Sequence, residues 1–163
     1  MLLKQKVKQS LEFLQPQISD VPKTAIVLGS GLGGIADAVE NPLIIPTADI
    51  PHYPVSTVPG HAGKWIIGDL AGTRVLVIQG RVHHYEGYTL QQVTFPVHVL
   101  AGLGIKNLIL TTACGGLNPN FTPGDLMIIT DHINMGFGNP LIGAPDNLLG
   151  IRFPDMSQPY DTR

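Results

Sequence analysis

Short β-branched runs, amphipathic segments at helical spacing and one strand–turn–strand pair predict an α/β fold with a mixed sheet. The strand runs around residues 23–28 and 108–112 alternate with helical segments, as in an α/β fold. The pair around Ala71-Gly72-Thr73 argues for an antiparallel hairpin within the same sheet. A length of 163 residues suits one domain with a real core, so residues 1–163 are read as a single domain.

The opening segment sets Leu3, Val7, Leu11 and Leu14 at helical spacing with Lys and Gln between them, and Pro16 closes it, which predicts an amphipathic helix. Lys23 to Leu28 reads as a short buried strand. The stretch GSGLGGIAD (29–37) follows, and Ile35 to Glu40 supplies at most a turn or two of helix before Asn41-Pro42. Lys64 to Leu70 and Arg74 to Gln79 read as the antiparallel pair. After the polar and aromatic stretch GRVHHYEGY (80–88) comes a helix from Leu90 to Leu103. Pro96 would kink it unless the missing hydrogen bond falls near the first turn. Leu108 to Thr112 reads as another buried strand, running into Ala113-Cys114-Gly115-Gly116, and Asp125 to Thr130 as one more. From Gly136 onward Gly, Pro and Asn dominate, as in a long loop.

Composition narrows the function. Charged residues make up 13% of the chain, roughly half the ~25% usual in globular domains, which predicts surface hidden against another subunit or a further segment. Ten basic and twelve acidic residues leave a net charge of -2, with no basic block, so no nucleic-acid partner is expected. No run approaches the roughly 18 apolar residues of a membrane span, and MLLKQKVKQSLEFL is unlike a signal peptide, so a cytoplasmic location is expected. The single cysteine, Cys114, has no disulfide partner, and the scattered histidines offer no metal-ligand spacing. Cys114 is expected to be a small buried apolar residue, and no metal site is implied.

The glycine loop admits three readings. GSGLGG (29–34) matches G-x-G-x-x-G, and Asp49 stands 20 residues beyond Gly29, where a dinucleotide's ribose would need an acid. Against this, a parallel crossover needs about 10 to 12 residues, and only six, Ile35 to Glu40, separate Gly34 from Asn41. The second reading is a purely structural turn. In the third, backbone N–H groups of successive glycines converge on an anion and Ser30 adds a hydroxyl, which fits one phosphate if cations come from elsewhere.

Such groups stand at 81–85. If Arg81 to Tyr85 is extended, alternation puts Arg81, His83 and Tyr85 on one face and His84 on the other. That face carries a guanidinium for bidentate phosphate contact, an imidazole and a phenol able to bond a sugar hydroxyl. The alternative is a solvated hairpin tip. His61, between glycines in GHAG (60–63), is open to a structural pairing with Asp69 or Glu86, and Ser30 is not in a hydrolase elbow.

Taken together, GSGLGG (29–34), VPGHAG (58–63), QGRVHHYEGY (79–88), TTACGGLNP (111–119), GDLMIITDHIN (124–134) and RFPDMSQPYD (152–161) resemble the trimeric class of purine nucleoside phosphorylases, from about Lys23 to the end of the chain. The resemblance implies a mixed-sheet nucleoside phosphorylase fold and a pentosyltransferase activity: reversible phosphorolysis of purine ribonucleosides and deoxyribonucleosides to free base and pentose 1-phosphate. It implies no cofactor, with inorganic phosphate as co-substrate, and a homotrimer. It assigns Ser30, His61, Arg81, His83 and the backbone N–H of Ala113 to phosphate, with Ser30, Arg81 and His83 catalytic, and Tyr85 and Phe153 to ribose, Phe153 reaching across a subunit boundary. Family members continue past the point matching Arg163, into the segment bearing the base-recognising Glu and Asn. The chain is therefore expected to be the N-terminal part of such an enzyme, inactive by itself, with a phosphate-binding or chain-associating fragment as the alternative.

Overall fold

Apolar positions three or four apart turn Leu3–Leu14 into helix α1, whose Val7 and Leu14 side chains are buried. The computed structural model describes residues 1–56, 63–136, 138–142 and 154–162. It divides into two compact units, Met1–Ala113 and Cys114–Arg163.

The first unit is built on five strands: β1 (Thr24–Val27), β2 (Glu40–Pro46), β3 (Lys64–Leu70), β4 (Thr73–Gln79) and β5 (Asn107–Leu110). Their order is β2-β3-β4-β1-β5. The β2, β3 and β4 pairings are antiparallel, and β1 runs parallel to both β4 and β5. The sheet is thus mixed, as expected. Ala71 and Gly72 take φ of 49° and 75° at the β3–β4 turn, the left-handed pair that matches the twist of a two-residue hairpin.

Strand alternation sorts the core into two layers. Ala25, Val27, Trp65, Ile67, Leu76 and Ile78 pack with α1 and with helix α2 (Leu90–Leu103) through Phe95, Val99 and Leu100. Ile66, Val75 and Val77 pack on the opposite face with Leu28, Ala36 and Val39. Helix α2 starts at Thr89, whose hydroxyl accepts from Gln92 N–H while the Gln92 side chain accepts from Thr89 N–H, and it stops at Gly104, φ 96°. Pro96 lies in its second turn, and the helix runs through it. At the centre of the core Trp65 Nε1–H donates to the Tyr53 hydroxyl at 2.9 Å, with the rings edge to face. Burial holds that phenol's pKa well above its ordinary value.

Four sequence expectations need correction. Residues 40–46, where Asn41-Pro42 reads as a break, form edge strand β2, which tolerates Pro42 and Pro46 and is irregular in register between Glu40 and Leu43. Strand β5 was expected to be buried; its side chains are exposed, Leu110 by 63%, because it lies at the sheet edge with β1 alone beside it. Asp125 to Thr130 forms no strand; an apolar run becomes one only when it is paired in a ladder. Cys114 is exposed rather than buried.

The second unit contains turns and irregular chain among its described residues. Side-chain oxygens of Asn118, Asp125, Asn139 and Asp155 accept backbone N–H groups two or three positions away, the local bonding by which such residues make turns. Tyr160 and His132 meet there edge to face.

Candidate functional site

Parallel strands deliver their carboxyl ends to one edge of a sheet, and loops leaving that edge form the natural crevice of an α/β fold. Here the register pairs Val27 with both Ile78 and Leu110, so β1, β4 and β5 end level. The glycine loop leaves β1, Gly80-Arg81-Val82-His83 leaves β4, and Thr111-Thr112-Ala113 leaves β5. Antiparallel β3 begins at the same edge, its Lys64 opposite Gln79.

A cavity of about 490 Å³ opens there, lined by Leu28 to Gly31, Gly33, Lys64, Gln79, Gly80, Arg81 and His83. Its first wall is the glycine loop, with Ser30 exposed and Gly31 at φ 85°. The Gln79 side-chain amide donates to the Gly33 carbonyl at 3.4 Å, and Gly29 N–H donates to Thr111 Oγ1 at 2.7 Å. An added Cβ on Gly29 would lie 2.5 Å from the Thr111 carbonyl oxygen, so the two loops meet backbone to backbone. Only glycine allows that approach.

Arg81 forms the second wall. Nη1 donates to the Thr111 carbonyl at 2.7 Å, Nη2 to Thr112 Oγ1 at 3.4 Å, and Nε to His83 Nε2 at 3.5 Å. The His83 ring is held from behind: the Glu86 carboxylate accepts from its Nδ1 at 3.1 Å and from its backbone N–H at 2.8 Å. That carboxylate side chain is only 2% exposed, and Ser56 donates to it at 3.2 Å. With Nδ1 assigned as the donor to Glu86, Nε2 is left as the acceptor for Arg81 Nε.

Of the residues expected at the site, Ser30, Arg81 and His83 line one cavity. Ala113 follows β5 in the loop beside Arg81's anchor, Thr111. Tyr85 reaches the cluster by a route the sequence did not show. The chain is not extended through it, because a 3₁₀ turn spans His84–Glu86; the Tyr85 ring stacks on His83 instead, centroids 4.7 Å apart, and is 77% exposed. His84 turns aside and donates to the Tyr88 carbonyl. His61 and Phe153 lie outside the described residues. Sequence reasoning missed Glu86, Thr111, Gln79 and Lys64 as site residues; only Glu86 carried a signal, three residues after His83 at capping-box spacing.

The dinucleotide reading of the glycine loop fails on topology. The loop runs into a 3₁₀ helix, Gly33–Ala38, and then antiparallel β2, rather than a crossover helix to a parallel neighbour. Asp49 sits in a 3₁₀ turn beyond that edge strand. Among the described residues no group of three His, Cys, Asp or Glu side chains is placed to hold a metal ion.

Residues 23–163 match the family model described as Phosphorylase superfamily. The chain is 54% identical over 157 residues to purine nucleoside phosphorylase 1 of Geobacillus stearothermophilus, covering 96% of this chain and 57% of the relative, and 46% identical to the purine nucleoside phosphorylase of Rattus norvegicus, covering 94% and 54%. Among solved structures it resembles the Schistosoma mansoni purine nucleoside phosphorylase in complex with adenosine, with TM-score 0.87 and 41% identity over 97% of this chain and 56% of that one. A purine nucleoside phosphorylase solved with ribose-1-phosphate gives TM-score 0.87 and 42% identity over 96% and 59%. The chain thus spans a little over half the length of these relatives.

Proposed function

Because the chain belongs to the phosphorylase superfamily, we propose that its cavity is the phosphate and ribose half of a site for reversible phosphorolysis of purine nucleosides, yielding free base and pentose 1-phosphate. One observation carries the reading: Ser30, Arg81 and His83, from two separate loops, face a single cavity at the carboxyl end of the parallel strands. The relatives solved with ribose-1-phosphate and adenosine support it.

Phosphate needs positioning more than activation, since it is already anionic at neutral pH. Arg81 supplies the fixed charge, the Ser30 hydroxyl and the loop N–H groups supply donors, and His83, whose Nε2 accepts from Arg81 Nε, lies beside the anion and steadies that guanidinium. Ala113 N–H and His61 complete the anion's shell. As the glycosidic bond breaks, the ribose becomes oxocarbenium-like, and a dianion held beneath it stabilises that charge. Tyr85, and Phe153 of a neighbouring subunit in a ring of three, enclose the ribose. Phosphate is then a co-substrate and no cofactor takes part. The location we propose is cytoplasmic; no helix among the described residues is long and apolar enough to cross a membrane.

Calorimetric titration with inorganic phosphate tests the assignment. Removing a charged hydrogen-bonding partner costs about 1.5–3 kcal/mol, so Arg81→Ala should weaken phosphate binding by about ten- to a hundredfold. Binding that is absent in the unaltered chain, or equal in the two proteins, overturns it.

A further inference from the structure

We propose that Thr111 is a positioning residue that sets the separation between the glycine loop and the Arg81 guanidinium. The inference rests on the phosphate reading of the cavity.

Thr111 follows β5 directly and bonds in two directions at once. Toward β1, its backbone N–H donates to the Val27 carbonyl at 3.0 Å, and its hydroxyl donates to that same carbonyl at 3.0 Å. With its one proton committed to Val27, the hydroxyl oxygen keeps its lone pairs for the glycine loop, and it accepts from Gly29 N–H at 2.7 Å. Toward β4, its carbonyl accepts from Arg81 Nη1 at 2.7 Å. The loop that would hold the anion's N–H donors and the cation that would neutralise it are therefore attached to one residue, a few covalent bonds apart.

The loop has little else to hold it there. Among the described residues, the bond from Gly29 to Thr111 is the hydrogen bond that ties residues 29–31 to another element; Leu28 is tied to Ile78 and Gly33 to Gln79, one on each side of the stretch. Without an acceptor for Gly29 N–H, the peptide joining Leu28 to Gly29 is free to rotate, and Ser30 moves with it. Arg81 would keep its anchor, so the two halves of the anion site would lose register with each other while the sheet stayed intact.

Thr111→Val isolates this. It preserves the branched shape, the β1–β5 ladder, the backbone bond to Val27 and the carbonyl beneath Arg81, and deletes only the two hydroxyl bonds. Three measurements on the full chain are informative: calorimetric titration with inorganic phosphate, amide hydrogen exchange at Gly29, and the thermal midpoint. Thr111→Val should weaken phosphate binding about five- to tenfold, the worth of one hydrogen bond, and speed exchange at Gly29. Thr111→Ser, which keeps the hydroxyl and drops the methyl, should restore both even if its midpoint is lower. If Thr111→Val does not fold, Thr111→Ala carries the same comparison against Thr111→Ser. Phosphate affinity that follows the thermal midpoint rather than the hydroxyl, or that is unchanged in Thr111→Val, overturns the proposal. An unaltered chain that shows Gly29 protection but binds no phosphate overturns the phosphate reading, and this proposal with it.

Discussion

Gly29→Ala puts a methyl group where the loops leaving β1 and β5 touch. The new Cβ would lie 2.5 Å from the Thr111 carbonyl oxygen and 2.9 Å from both the Thr111 carbonyl carbon and Thr112 Cα. Ordinary contact begins near 3.4 Å, so the loops must part by close to an ångström. All three atoms are backbone, and no flexible side chain is present to absorb the motion. Overpacking of this kind costs about 1–3 kcal/mol, within the about 5–15 kcal/mol that holds a domain together, so the variant should fold with a lower midpoint. The atom struck is also the oxygen on which Arg81 Nη1 rests at 2.7 Å. Shifting it disturbs a charge-assisted bond worth about 1.5–3 kcal/mol, and phosphate affinity should fall about tenfold or more. Gly34→Ala is the control within the same loop, since a Cβ there meets nothing within 4 Å. Calorimetric phosphate titration and thermal denaturation of both variants decide the matter. If Gly29→Ala matches Gly34→Ala in both measurements, the close approach of the two loops does not organise the site.

Other outcomes follow from the core and from the groups behind His83. Glu86→Gln keeps an acceptor for His83 N–H but removes the negative charge behind the ring and replaces the oxygen that accepts from Ser56 with a donor, so phosphate binding should weaken about three- to tenfold and the thermal midpoint should fall; equal affinities would exclude a role for that carboxylate. Burial raises the Tyr53 pKa, so above about pH 10 the phenol ionises in the unfolded chain while staying neutral in the folded one, and stability should fall as pH rises. Tyr53→Phe should remove that alkaline loss in denaturant titrations, at a cost near neutral pH of about 1–3 kcal/mol for stranding Trp65 Nε1–H. An alkaline limb that persists unchanged in Tyr53→Phe assigns it elsewhere.

Local patterns were most legible where one short-range rule decides the structure. Leu3, Val7, Leu11 and Leu14 can share a face only in a helix, and α1 runs Leu3–Leu14. Ala71-Gly72-Thr73 between two apolar runs reads as a hairpin, and β3 and β4 form one around Ala71-Gly72. What was lost depended on neighbours distant in sequence. Pro42 and Pro46 argue against a strand, yet β2 lies at an edge, where a missing donor is tolerated. Leu108 to Leu110 read as buried because they are apolar, but burial requires a second neighbour that apolarity cannot supply, and the structure leaves these side chains exposed. Asp125 to Thr130 fails for the related reason that a strand exists only in a ladder.

The site divides along the same line. Arg81 and His83 stood out in the sequence as a cation and an imidazole between glycines, and Ser30 as a hydroxyl in a glycine-rich loop, and the structure places all three on one cavity. Thr111 did not stand out: a threonine after a β-branched run looks like strand filler, and its part becomes visible only when β1 and β5 are known to lie side by side, with Val27 opposite Leu110. That adjacency turns an ordinary hydroxyl into the acceptor for Gly29 and an ordinary carbonyl into the seat of Arg81. The residues that would touch the anion could be found one at a time from their chemistry, whereas those that fix the spacing between them are defined by pairs of loops. Such positions emerge from strand order and register, and the close approach at Gly29 makes this spacing sensitive to a single methyl group.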